Sequence, residues 1–171
     1  APFYRVDRVP KESASWVVQF GYRGEPEIDQ CWDKYQTSND TWFPVHAPGN
    51  VRGTVAFSMD AVPPNKNCSS PKYCAQGFST NIFINYANNT RLDPNGFAIF
   101  GEVLPPGMEV VDKLYAGYGE VMELCQNASH HPFCKGVGSD CEGVSMDRLV
   151  AEDGYWQREK GNLSWVRRVY S

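Results

Sequence analysis

Ile82, Ile84 and Tyr86 alternate with Phe83 and Asn85. A Pro94-Asn95-Gly96 turn then leads into a second β-prone run, Phe97 to Val103. Period-two alternation of apolar residues is the mark of a strand, and Pro-Asn-Gly is turn chemistry. Together they commit the middle of the chain to sheet. Trp16-Val17-Val18-Gln19-Phe20-Gly21 reads as a buried strand ending at a glycine, Gly53 to Met59 as another, and Leu163 to Tyr170 as a β-prone last segment.

The connections between these runs are long. Residues 22–50, 61–76 and 117–144 are rich in Gly, Pro, Asn or Asp with little period, and read as loops. Two helices are expected. One follows Pro105-Pro106-Gly107 and puts Val110, Val111, Leu114 and Tyr115 on one face. The other is capped by Ser145 and runs to about Lys160, with Leu149, Val150 and Trp156 inward and Gly161 beyond its end. No internal repeat or second domain is visible, so residues 1–171 read as a single domain. Many strands and few helices predict a mainly β fold, a closed β-barrel with capping helices.

The net charge is −4 and the basic residues are scattered, which argues against a nucleic-acid footprint. No apolar run approaches the ~20 residues of a transmembrane helix. Six cysteines, Cys31, Cys68, Cys74, Cys125, Cys134 and Cys141, stand in loop-like surroundings and suggest disulfides. Five N-x-S/T sequons, at Asn39, Asn67, Asn88, Asn127 and Asn162, point the same way. The chain is read as a secreted or lumenal glycoprotein. It opens without an initiator Met or a leader-like stretch, as a mature, processed or excised product does, or one whose beginning the sequence omits.

Cys68 and Cys74 lie within one inserted loop and are the first candidates for a pair; the other four cysteines allow three pairings. Zinc is the competing reading for Cys125, His130, His131, Cys134 and Cys141. Their spacing fits no compact ligand pair and Asn127 puts a sequon among them, so disulfides are preferred and neither metal nor cofactor is expected.

Near the start, Phe3-Tyr4-Arg5-Val6 sets one permanent charge among aromatic and β-branched neighbours. Such a charge is costly to bury unless something uses it. This stretch resembles the arginine motif of the cyclophilins, peptidyl-prolyl cis/trans isomerases built on an eight-stranded barrel with two helices. Val17-Val18-Gln19-Phe20-Gly21, Arg52-Gly53-Thr54-Val55, Phe83-Ile84-Asn85 and Leu92-Asp93 through Phe100-Gly101-Glu102-Val103 are similar to later family segments, in the family's order. Gly107-Met108-Glu109-Val110-Val111-Asp112 is similar to its second helix. Gly117-Tyr118-Gly119-Glu120 and Trp165-Val166-Arg167-Arg168 resemble a divergent, bacterial-like branch.

The resemblance implies that Arg5 is the catalytic arginine. It implies a proline pocket formed by Trp16, Val17, Phe83, Leu92 and Phe97, with Gln19 and Asn81 holding Arg5 or the substrate backbone. Asn81 stands where the family usually has Gln, and Phe97 where many members have His. Arg91 replaces a Trp that many members use to bind cyclosporin, so weak cyclosporin binding is expected. Insertions within Val6 to Ser15 and Pro63 to Gln76 lie where they can reshape or cover the pocket. The family's two strands and helix before the arginine motif have no counterpart in the sequence. A partner chain supplying them by strand addition is therefore expected.

Two functions follow. One is a prolyl isomerase acting on X–Pro bonds of peptides or proteins. The other is a cyclophilin-like structural or interaction subunit with little or no turnover. The plainer readings of the residues stand beside these: Arg5 as an ion-pair arginine, and Trp16, Phe83 and Leu92 as ordinary core.

Overall fold

One row of side chains crosses a five-stranded sheet: Arg5 opposite Gln19, Gln19 opposite Phe83, Phe83 opposite Ala56, and Ala56 opposite Ile99. The computed structural model describes residues 1–7, 17–33, 49–59, 80–119, 121 and 143–166. The strands are β1 (Arg5–Val6), β2 (Val17–Phe20), β3 (Thr54–Phe57), β4 (Ile82–Asn85) and β5 (Ile99–Glu102), ordered β1-β2-β4-β3-β5 and antiparallel throughout. Each expected strand is present, shorter than its β-prone run except at the C-terminus. There the described residues contribute only a bridge between Trp165 and Pro2.

Because side chains alternate, the register sorts residues to two faces. Val17, Ala56, Phe83 and Ile99 pack with Leu92 and Phe97 on the first face. Val6, Val18 and Ile84 pack with Val111 on the second. A third cluster joins Tyr4, Tyr22, Leu149, Tyr155 and Leu163 beneath the helices. Burying each large side chain contributes roughly 1.5–3 kcal/mol, so the clusters hold the sheet between them.

The described strands form an open sheet with β1 and β5 at its edges, where a closed barrel was expected. Closure is a non-local property that strand periodicity does not encode.

Other expectations are corrected. The reading of residues 22–50 as loop misses α1 (Pro26–Asp33). Proline suits a first helical turn, and Asp29 accepts from the backbone N–H groups of Arg23, Gly24 and Glu25 at 2.8, 2.6 and 3.2 Å. The Pro94-Asn95-Gly96 turn is the end of a 3₁₀ helix, Thr90–Asn95, that buries Leu92. The helix after Pro106, α2 (Gly107–Val111), is too short to keep the expected face: Val111 is buried, whereas Val110 and Tyr115 are exposed. The helix expected from Ser145 to Lys160 is two, α3 (Met146–Ala151) and α4 (Tyr155–Glu159). Ser145 does cap the first, accepting from the Arg148 N–H at 3.3 Å. Gly154 breaks the run, with φ of 68° in the left-handed region.

Among the described residues no helix is long and apolar enough to cross a membrane. Cys31 is an exposed free thiol on α1. The other five cysteines, the sequons at Asn39, Asn67 and Asn127 and the zinc candidates lie outside the described residues. Asn88 and Asn162 are exposed.

Candidate functional site

Arg5 heads the first face of the sheet on its edge strand, half-buried. Its Nη1 donates to Oε1 of Gln19, directly across the β1–β2 ladder, at 3.1 Å. The other end of the same amide donates from Nε2 to Asn81 Oδ1 at 2.9 Å and to Ser58 Oγ at 3.0 Å. These partners fix which way the Gln19 amide points: the oxygen faces the guanidinium and the nitrogen faces two acceptors. A charged donor on Arg5 makes its bond the strong one.

Beside this polar line lies a concavity of about 140 Å³ lined by Arg5, Val17, Gln19, Phe83, Leu92 and Phe97, with Ser58 and Met59 at the end of β3. Phe83 and Phe97 meet edge to face, centroids 5.8 Å apart, and form an aromatic corner. Val17, Phe83 and Leu92 are buried and Phe97 is partly buried, so the slot has fixed apolar walls. Its size suits one small ring rather than an extended ligand.

The structure thus gathers Arg5, Val17, Gln19, Phe83, Leu92 and Phe97 at one slot, and sets Asn81 behind it as a hydrogen-bond acceptor. Trp16 lies outside the described residues, and Arg91 is exposed on the 3₁₀ helix and does not line the slot. Ser58 and Met59 were not anticipated, because they follow the regular part of β3 and carry no periodic signal. Tyr4 was anticipated only as part of a motif. Its hydroxyl donates to the Asn81 Oδ1 that also accepts from Gln19. Complete burial pushes the Tyr4 phenol well above its ordinary range, with Tyr22 adding to the shift, so Tyr4 stays protonated and donates.

A second polar assembly holds the far wall. Asn50 donates from its backbone and side chain to Asp93 Oδ1, at 2.9 and 2.7 Å, and to the Phe97 carbonyl at 3.1 Å. Its own Oδ1 accepts from Asn85 Nδ2 at 2.9 Å, and Asn85 Oδ1 accepts from Asn89 Nδ2 at 2.8 Å. The three asparagines are buried. They tie the end of β4 to the 3₁₀ helix and so place Leu92 and Phe97 against Phe83.

An apolar slot beside a fixed cation needs no further group to bind a ring and donate a hydrogen bond to an atom at its rim. Among the described residues no group of three His, Cys, Asp or Glu side chains is placed to hold a metal ion. Compared with protein-family models, with curated protein sequences and with solved structures, the chain gives no significant match in any of the three.

Proposed function

We propose that this chain is a peptidyl-prolyl cis/trans isomerase of cyclophilin type, acting on X–Pro bonds of peptides or proteins. The observation that carries the reading is the placement of Arg5, held by Gln19 at the rim of the slot walled by Val17, Phe83, Leu92 and Phe97. The proline ring occupies the slot. The X–Pro amide resists rotation with a barrier of ~18–20 kcal/mol because its nitrogen lone pair is delocalised. As the bond twists, that lone pair returns to nitrogen and becomes an acceptor. The Arg5 guanidinium donates to it, and so favours the twisted state over the planar one. Gln19, anchored by Ser58 and Asn81, keeps the guanidinium from swinging away. No covalent step is required.

The test is a proline-isomerisation assay on wild type and Arg5→Ala. Loss of ~3–4 kcal/mol of stabilisation slows the reaction by roughly two to three orders of magnitude. Equal, background-level rates for both proteins remove the enzyme reading.

The second reading, a structural or interaction subunit with weak or no turnover, is favoured by β5, which among the described residues is an edge strand. There Phe100 and Leu104 are 46% and 70% exposed. A partner chain adding a strand at an open edge would complete a barrel. Native mass spectrometry showing a stable, well-folded lone chain would count against that partner. Residence in a secretory lumen or outside the cell, with glycans on exposed Asn88 and Asn162, belongs to the same proposal; unchanged intact mass after glycosidase treatment would remove the glycans from it.

A further inference from the structure

The walls of the slot hold one sulfur atom, that of Met59. Met59 follows Ser58 beyond the last residue of β3, and Ser58 is fixed twice over. Its backbone N–H donates to the Asn81 carbonyl at 2.9 Å, and its Oγ accepts from Gln19 Nε2 at 3.0 Å. The main chain that carries Met59 is thus tied to the start of β4 and to the polar line that holds Arg5. Met59 itself is half-buried.

The sequence has four methionines, Met59, Met108, Met122 and Met146, of which Met122 lies outside the described residues. Met108 packs against the cluster of Val6, Val18, Ile84 and Val111, and Met146 against the cluster beneath the helices. Met59 packs against none of the three clusters of the described residues and instead borders the open space of the slot. A thioether packed on a core is shielded by the atoms around it. One at the wall of an open depression can be reached from solvent, and oxidation follows access. The other side chains of the slot are aliphatic, phenyl, amide, hydroxyl or guanidinium groups, which a mild peroxide leaves unchanged.

A hydroperoxide is the oxidant to which such a sulfur responds. A sulfur lone pair attacks one peroxide oxygen, and the S–O bond forms as the O–O bond breaks. The thioether loses two electrons and becomes the sulfoxide; the peroxide gains them and leaves as water or an alcohol. A flexible apolar side chain thereby becomes a polar one that carries a hydrogen-bond acceptor. In a space of about 140 Å³ that change is large. The added oxygen takes room that a ring would fill, and it brings an acceptor into a slot whose charged donor is Arg5. We propose that Met59 is a redox-modification site, converted to the sulfoxide by hydroperoxides, and that its oxidation turns the slot from an apolar-ring site into a polar one. Methionine sulfoxide reductases reverse the step. The effect on turnover rests on the isomerase reading; selective oxidation of Met59 does not.

The test exposes the intact, folded chain to limiting hydrogen peroxide after its free thiols, Cys31 among them, have been alkylated. Peptide mapping by mass spectrometry follows the gain of one oxygen at each methionine, and circular dichroism checks folding. Met59 should be oxidised at least fivefold faster than Met108 and Met146, and the difference should vanish in denaturant. Equal rates in the folded chain, or an order that survives denaturation, overturns the proposal. Prolyl-isomerase turnover should fall at least tenfold as Met59 is oxidised and return after treatment with the reductases. The turnover of Met59→Leu, whatever its starting value, should be unchanged by peroxide. An equal fall in Met59→Leu, or undiminished turnover in oxidised wild type, overturns the effect on the slot. Absence of turnover before any peroxide is added removes the isomerase reading instead, and the peptide map still decides the modification.

Discussion

The Tyr4 hydroxyl donates to Oδ1 of Asn81, and that contact connects the residue before Arg5 to the polar line that holds Arg5. Tyr4 is 1% exposed and anchored in the core cluster under the helices, so it is a rigid post. Asn81 accepts from it and from Gln19 together, and Gln19 in turn accepts from Arg5. Tyr4 is thus a positioning residue. Tyr4→Phe keeps the ring and removes the post's only polar atom. Under the isomerase reading, kcat should fall by about three- to tenfold with KM little changed, for about 1 kcal/mol of lost hydrogen bonding. Unchanged kcat in a folded Tyr4→Phe protein would remove Tyr4 from the positioning line.

The same burial makes a stability prediction that needs no assumption about activity. The Tyr4 phenol is raised above its ordinary value of 10.0 in the folded chain, chiefly by desolvation. Above about pH 10 the unfolded chain therefore loses this proton while the folded chain keeps it. By linkage, Tyr4's contribution is fully present below about pH 10 and falls by up to ~1.4 kcal/mol per pH unit above it. Denaturant melts from pH 9 to 11.5 should show a steeper alkaline loss in wild type than in Tyr4→Phe. Parallel curves would contradict the assignment.

Arg5, Gln19 and Phe83 were expected at the site from the resemblance, and the alternation in their runs set Gln19 and Phe83 on strands; Ala56, opposite Phe83, was not singled out. Leu92 and Phe97 came from motif order alone, and their placement depends on the asparagines at 50, 85 and 89. In the sequence Asn85 reads as one strand position among others and Asn50 as a loop residue, and only tertiary contacts reveal a buried network. Helix α1 was hidden for a related reason. Ile28 is partly buried and Trp32 is exposed, so the helix has little apolar periodicity, and Asp29 folds back onto residues before it. The break at Gly154 was masked by apolar positions that continue across it. Sheet closure depends on pairings between distant segments, to which local pattern is blind.

Asn85 should be the most sensitive member of that network. It donates to Asn50 Oδ1 and Thr54 Oγ1, each at 2.9 Å, and accepts from Asn89 at 2.8 Å. Asn85→Ala strands several buried polar atoms at once, each worth roughly 1–3 kcal/mol when unsatisfied. A loss of about 2–4 kcal/mol in denaturant titration is expected, larger than that from Asn88→Ala on the exposed turn nearby. Similar losses for the two variants would show that the network does not hold the 3₁₀ helix to the sheet.

Arg91 supplies the last prediction. It sits one residue before Leu92, whose side chain is in the slot wall, yet Arg91 is exposed and does not line the slot. The resemblance places an indole at this position in many cyclosporin-binding members. An indole there would add apolar surface and one N–H donor at the rim. An arginine has N–H donors but not that apolar face, and its long side chain must be displaced before a bulky apolar ligand can cover the rim. Wild type should therefore bind cyclosporin weakly, with Kd above the micromolar range in fluorescence titration. Arg91→Trp should tighten binding at least tenfold, about 1.4 kcal/mol. Nanomolar binding by wild type would mean that other residues provide the contact. Failure of Arg91→Trp to tighten binding would mean that the rim at residue 91 is not where the ligand lies.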